Sequence, residues 1–152
     1  MKTAYKNVVQ SCLYSAPVES NKLCEAPAIP PPASLVQAIR SGLAVSELDA
    51  LRESLGISME LLAPKLGLSK ATLHRRKATG RLHAAESDRV VRYARLVGRA
   101  REVLESEEAA RTWLRSPQVG LGGAIPLDYA ETEVGAREVE DLLGRIEHGV
   151  YS

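Results

Sequence analysis

The stretch that most constrains this chain is LGISMELLAPKLGLSKATLHRRKATGRL, residues 55–82. Behind Ser58, a residue with N-cap chemistry, Leu61, Leu62 and Leu66 fall on one helical face, which predicts a helix from about Ser58 to Leu66. Gly67 ends it, because the residue just past a helix often needs positive φ. Ser69 is placed to cap a second helix whose one large apolar residue is Leu73. Lys70, His74, Arg75, Arg76 and Lys77 project from the rest of that helix. A short helix with a nearly all-cationic surface suits a polyanion, since arginine and lysine read guanine edges and grip phosphates. Pro64 runs against a regular first helix. It removes a bond to the carbonyl of Glu60, a cost of about 3 kcal/mol in a helix interior. The helix is then either kinked or short enough for Pro64 to lie in its opening turn.

Charge is divided along the chain in a way that the formal net of +1 conceals. From Lys70 to Arg101 ten Lys and Arg stand against Glu86 and Asp88, a balance of +8. From Glu102 to Ser152 eleven acids stand against Arg111, Arg115, Arg137 and Arg145, a balance of −7. A basic middle and an acidic end imply two surfaces for two partners, one of them a polyanion, or two helix faces of opposite sign packed together. Aromatics are 4% with no Phe, and alternating β-branched runs are absent, so the expected class is all-α with a core of Leu, Val, Ile and Ala. Cys12 and Cys24 form no CxxC pattern, which argues against a disulfide framework or zinc site and for a reducing, cytoplasmic setting. A run of about 18 apolar residues is missing, so no membrane association is expected.

Residues 1–33 read as a flexible Pro-containing N-terminal arm, with the IPPP run favouring extended backbone. Within it, Tyr5, Val8, Val9, Leu13 and Tyr14 suggest one or two amphipathic turns. Leu35, Val36 and Ile39 then predict a short helix ending at Gly42. Ser46 and Asp49 resemble a capping box for a helix carrying Leu48, Leu51 and Leu55 and ending at Gly56. Residues 86–105 form the longest periodic segment, with Val90, Ala94, Val97 and Leu104 on one side and Arg89, Arg92, Arg95 and Arg99 on the other. Those arginines either reach DNA phosphates or pair with the acidic C-terminal helices. Ser106 is expected to cap a helix that points Trp113 and Leu114 inward and stops at Pro117. Pro126 suits the first turn of a short helix through Tyr129. Thr132 is the expected cap of a last helix burying Val134, Val139, Leu142, Leu143 and Ile146 and ending at Gly149.

Ala63 at the helix crossing, Gly67 at the turn, and Leu62, Leu66, Leu68 and Leu73 at inward positions resemble the helix-turn-helix of Xre-like repressors. Further along, ESDRVVRYARL at 86–96 and then Trp113, Leu114 and Pro117 carry a second likeness. It continues through LGG at 121–123, Pro126, Leu127 and TEVGAREVEDLLGRIEHGVY at 132–151. With these, residues 46–152 are identified as similar to the Xre/MbcA/ParS-type antitoxins, which pair with RES-domain toxins.

That resemblance implies an N-terminal Xre-like helix-turn-helix bundle over 34–84 for DNA binding or dimerisation. A helical toxin-binding domain would follow over 85–152. It implies an antitoxin that neutralises an NAD-degrading RES toxin and represses its own operon, working as a homodimer within a larger complex. Ser69, Lys70, His74, Arg75, Lys77 and Arg81 are then the expected DNA-binding residues, with Arg89 and Arg92 as backbone anchors. Trp113, Leu121, Gly122, Glu147, His148, Gly149, Val150, Tyr151 and Ser152 are the expected toxin-binding residues. The chemistry would lie in the partner, so no enzyme activity, no catalytic or metal site and no cofactor is expected. The scattered His74, His83 and His148 agree with this. Two other readings stay open: a helix-turn-helix regulator with no toxin partner, and an interaction module whose degenerate helix-turn-helix serves dimerisation.

Overall fold

Helix capping, glycine stops and leucine spacing divide the chain into short helices wrapped around one long one. The computed structural model describes residues 32–149. The elements are α1 (Pro32–Ser41), α2 (Ser46–Leu55), α3 (Met59–Lys65), α4 (Lys70–Thr79), α5 (Ala84–Leu104) and α6 (Glu107–Arg115). A 3-10 turn (Val119–Leu121), α7 (Pro126–Tyr129) and α8 (Glu133–Glu147) complete the fold. Among the described residues extended pairing is limited to two isolated antiparallel bridges, Ala44 with Arg81 and Gln118 with Ala124. The all-α expectation holds. Among the same residues no helix is long and apolar enough to cross a membrane.

The 21-residue α5 is the axis of the fold. Val90, Tyr93, Ala94, Leu96, Val97 and Ala100 along it are at most 1% exposed. It packs against α1 and α2 on one side and against α6 and α8 on another. A stripe this wide serves a helix with neighbours on most sides, and its neighbours lie within the chain. The boundary expected at 84/85 falls at its first residue.

Several local expectations hold to the residue. The hydroxyl of Ser69 accepts the N–H of Thr72 at 3.1 Å, Ser106 that of Ala109 at 3.2 Å, and Thr132 that of Gly135 at 3.0 Å. Pro126 opens α7, and Gly67 takes φ +69° in the α3–α4 turn. Others need correction. The cap of α2 is Val45, with helical backbone and no side-chain bond, so Ser46 lies one residue inside and makes no capping box. Pro64 neither kinks a long helix nor opens a short one. It is exposed in the last turn of the seven-residue α3, where only one carbonyl loses its donor. Leu61 is 59% exposed rather than on the buried face with Leu62 and Leu66. Val134 is 67% exposed because Gly135 and Ala136 take the inward positions of the first turn of α8. A Cβ on Gly135 would come within 1.8 Å of the Tyr129 carbonyl oxygen, so only glycine lets α8 lie this close to α7. The N-terminal arm lies outside the described residues except for its last two positions.

Candidate functional site

Two charged surfaces stand at opposite ends of the chain's chemistry. On α4, Lys70, His74, Arg75 and Lys77 are exposed and engage no carboxylate among the described residues. Ser69, expected beside them, is occupied as the cap and also contacts the Thr72 hydroxyl at 2.9 Å. Arg76, on the same helix, behaves differently. Its Nε and Nη2 donate to both carboxylate oxygens of Glu86 at 2.9–3.2 Å, and both side chains are about a tenth exposed. Burial alone would raise the Glu86 pKa. The Arg76 guanidinium and the His83 N–H, which donates at 2.8 Å, outweigh it and hold the carboxyl below its usual range. This pair ties α4 to the N-terminal turn of α5.

The remaining basic residues are largely spoken for within the chain. Arg81 Nη1 donates to the carbonyls of Ser41 at 3.2 Å and Gly42 at 3.4 Å, tying the end of α1. Arg89 donates to the Leu66 carbonyl at 2.9 Å, capping α3. Arg92 contacts Glu133 at 3.0 Å, the Glu131 carbonyl at 3.1 Å and Asp88 at 3.4 Å. Arg95 approaches Glu140 at 3.9 Å, and Arg99 pairs with Glu147 and Glu102. Of these α5 arginines, Arg92, Arg95 and Arg99 pair with acids of α8, while Arg89 ties the α3–α4 turn. In the reverse direction, Arg111 donates to the Ser54 and Glu53 carbonyls at 2.8 Å, and Arg115 to Gly56 at 3.1 Å. These cations sit on the carbonyl end of α2, where the helix dipole favours them.

Two further ties escaped sequence reasoning. The buried Tyr93 hydroxyl donates to the Leu127 carbonyl at 3.1 Å, and burial with the nearby Glu131 charge drives its pKa upward. Lys65 pairs with Asp128 and Glu131, joining α3 to α7. Each partner lies more than 30 residues away in sequence, so no local signal marks them.

The second surface is an open hollow between the 3-10 turn and α8. Gly120, Leu121, Glu138, Asp141, Gly144, Arg145 and His148 line it, with Arg99 and Glu140 at its edge. The hollow thus brings together Leu121 and His148 of the expected toxin-binding set. Leu121 is only 8% exposed and Trp113 is half-buried against the core. Gly122 is exposed at φ +65° in a turn closed by the Gln118–Ala124 bridge. Glu147 is drawn to Arg99, His148 Nδ1 lies 2.7 Å from the Gly144 carbonyl, and Gly149 ends α8 at φ +68°. Val150, Tyr151 and Ser152 lie outside the described residues. Among the described residues no three His, Cys, Asp or Glu side chains gather as a metal site would require.

Comparison with known proteins separates the same two regions. A family model described as the antitoxin Xre-like helix-turn-helix domain matches residues 34–95. Another, the antitoxin Xre/MbcA/ParS C-terminal toxin-binding domain, matches residues 99–149. An Antitoxin Xre from Yersinia enterocolitica is 36% identical over 120 residues, covering 78% of this chain and 81% of the relative. A Prs ADP-ribosylating antitoxin from Sphingobium is 28% identical over 131 residues, 80% of this chain and 82% of that one. An Antitoxin Xre from Photorhabdus laumondii is 38% identical over 74 residues, 48% and 50% of the two chains. With a helix-turn-helix at α3–α4, a toxin-binding match across α6–α8 and a relative this similar over most of both chains, the protein belongs to the Xre family of toxin–antitoxin antitoxins.

Proposed function

We propose that this antitoxin neutralises a RES-domain toxin that consumes NAD⁺ and represses its own operon as a cytoplasmic homodimer, without enzyme activity or cofactor of its own. The division of labour follows the two surfaces: residues 34–84 read operator DNA, residues 85–152 hold the toxin, and residues 1–33 form an arm. The observation carrying this reading is the match of 99–149 to a toxin-binding domain, joined by α5 to a helix with free cations. Lys70, His74, Arg75 and Lys77 contact bases or phosphates. Ser69 positions the helix, and Arg81 flanks it beside Gly80. An inverted-repeat operator would require a twofold assembly.

Neutralisation works by occlusion. The last turn of α8 and the residues from Glu147 to Ser152 cover the toxin's NAD pocket. Trp113, Leu121 and Gly122 shape the surface behind it. Removing residues 149–152 tests this, because Gly149 only stops α8 and the core lies elsewhere. The shortened protein should fold with an unchanged helical spectrum yet no longer prevent NAD loss by the toxin. Full protection by the folded, shortened chain would sink the occlusion scheme.

One observation favours a second form of the toxin's chemistry. The name of the Sphingobium relative specifies ADP-ribosylation, which also draws on NAD⁺ but passes ADP-ribose to a protein. Following NAD loss and protein-bound ADP-ribose together, with and without this chain, separates the two forms. The binding surfaces are the same in both.

A further inference from the structure

Gly144 sits in the last turns of α8 with ordinary helical backbone, and a Cβ built on it meets nothing within 4 Å. Glycine there weakens the helix relative to alanine, because it leaves more backbone entropy to lose on folding. The other glycines differ. Gly80, Gly122, Gly123 and Gly149 also have open space, but each holds positive φ that an L side chain strains to adopt. Gly120 and Gly135 have Leu142 and the Tyr129 carbonyl in the way. For Gly144 the described chain supplies neither reason.

Its surroundings do. Gly144 lies in the hollow between α8 and the 3-10 turn, level with Asp141 and Arg145, neither of which pairs with another described residue. Glu138 faces the same hollow with only the Tyr129 hydroxyl bound to it, at 2.8 Å. Beside Gly120 in the chain, Val119 is 95% exposed on a turn whose backbone is fixed by bonds from Gln118 and Gly122. The unpaired carboxylate of Asp141 and the side-chain-free step at Gly144 open onto one hollow and form a docking notch, with the exposed Val119 on the turn that borders it.

We infer that this notch receives the toxin, an element of which lies in van der Waals contact with the Gly144 backbone, packs on Val119 and presents a basic side chain to Glu138 and Asp141. This rests on the toxin-binding reading above and goes beyond it by placing a contact at Gly144 on the side of α8. A contact here leaves the toxin's pocket to the tail and supplies grip.

The test uses the full-length chain and a RES-domain toxin held inactive by substitution, in a calorimetric titration. Gly144→Ala should raise the melting temperature of the free antitoxin by about 3 °C. It should also weaken toxin binding by roughly tenfold or more, since a methyl then occupies contact space. Asp141→Asn should weaken binding by about threefold at low salt and less at high salt, with the melting temperature unmoved. Opposite effects on stability and affinity cannot come from a general loss of structure. Unchanged affinity of Gly144→Ala overturns the notch while leaving the toxin-binding reading intact. Absence of binding by the unaltered chain overturns both. A change in self-association without a change in toxin affinity assigns the notch to a second copy and overturns the proposal.

Discussion

The cations of α4 and those of α5 belong to one basic stretch of sequence, yet they do unlike work. Lys70, Arg75 and Lys77 reach no carboxylate among the described residues, whereas Arg89, Arg92, Arg95 and Arg99 each reach a carbonyl or an acidic side chain. The +8 balance of residues 70–101 therefore overstates the field that the chain presents outward. Three of those charges meet Glu133, Glu140 and Glu147 of α8 at short range. What distinguishes the two sets is the geometry of neighbours: α4 has one packed face, while α5 is covered on most sides. Arg76 marks the border between them, a basic residue of α4 turned inward to Glu86.

That border is the place to break the contrast with most effect. Glu86→Gln leaves Arg76 charged and nearly buried without a counter-ion, so unfolding stability should fall by about 3 kcal/mol. Urea denaturation measures it. A loss within error would mean that Arg76 swings out to solvent and that the pair does not tie α4 to α5. Next in size is Arg75→Ala with Lys77→Ala. Operator affinity should drop roughly 100-fold and its salt slope by about 2, with the melting temperature unchanged. Arg92→Ala is the mirror experiment, costing about 1 kcal/mol of stability through lost contacts to Glu133 and Glu131 while leaving the salt slope as it was. If the two variants exchanged phenotypes, the division between free and engaged cations would be wrong.

The smallest effect is acid sensitivity. Glu86 has a folded pKa below its ordinary 4.5, so the unfolded chain binds more protons in that interval and the contribution of Glu86 rises with pH. It is fully present above about pH 4.5 and is lost as the pH falls through the lowered value. Thermal melts of the parent and Glu86→Gln should therefore draw closer on acidification, and a constant gap down to pH 3 would count against it.

Element ends were the most legible part of this protein, because caps and stops are decided by residues within one turn. Ser69, Ser106, Thr132, Pro126 and Gly67 all sit where their chemistry places them. Ser46 failed because Val45 already holds helical backbone, leaving the serine hydroxyl nothing to cap. The inward face of short helices was less legible. In α3 and in the first turn of α8 a few residues define the stripe, and its phase depends on neighbours, as the exposure of Leu61 and Val134 shows. Least legible were the ties of Arg92, Arg111 and Tyr93, whose partners are set by tertiary closeness alone. For the candidate surfaces, the free cations of α4 were readable as charge, while the notch at Gly144 appears only once the turn at 119–121 is folded beside α8.

Because α5 supplies core to both halves without a break, neither half has a lifetime of its own. A protease that cut away α6–α8 would strip the cover from Tyr93, Leu96, Val97 and Ala100, and the leucine contacts of α1 and α2 along the same rod would lose their support. The two halves should therefore unfold together. A single cleavage there would expose the core of both halves in the same event.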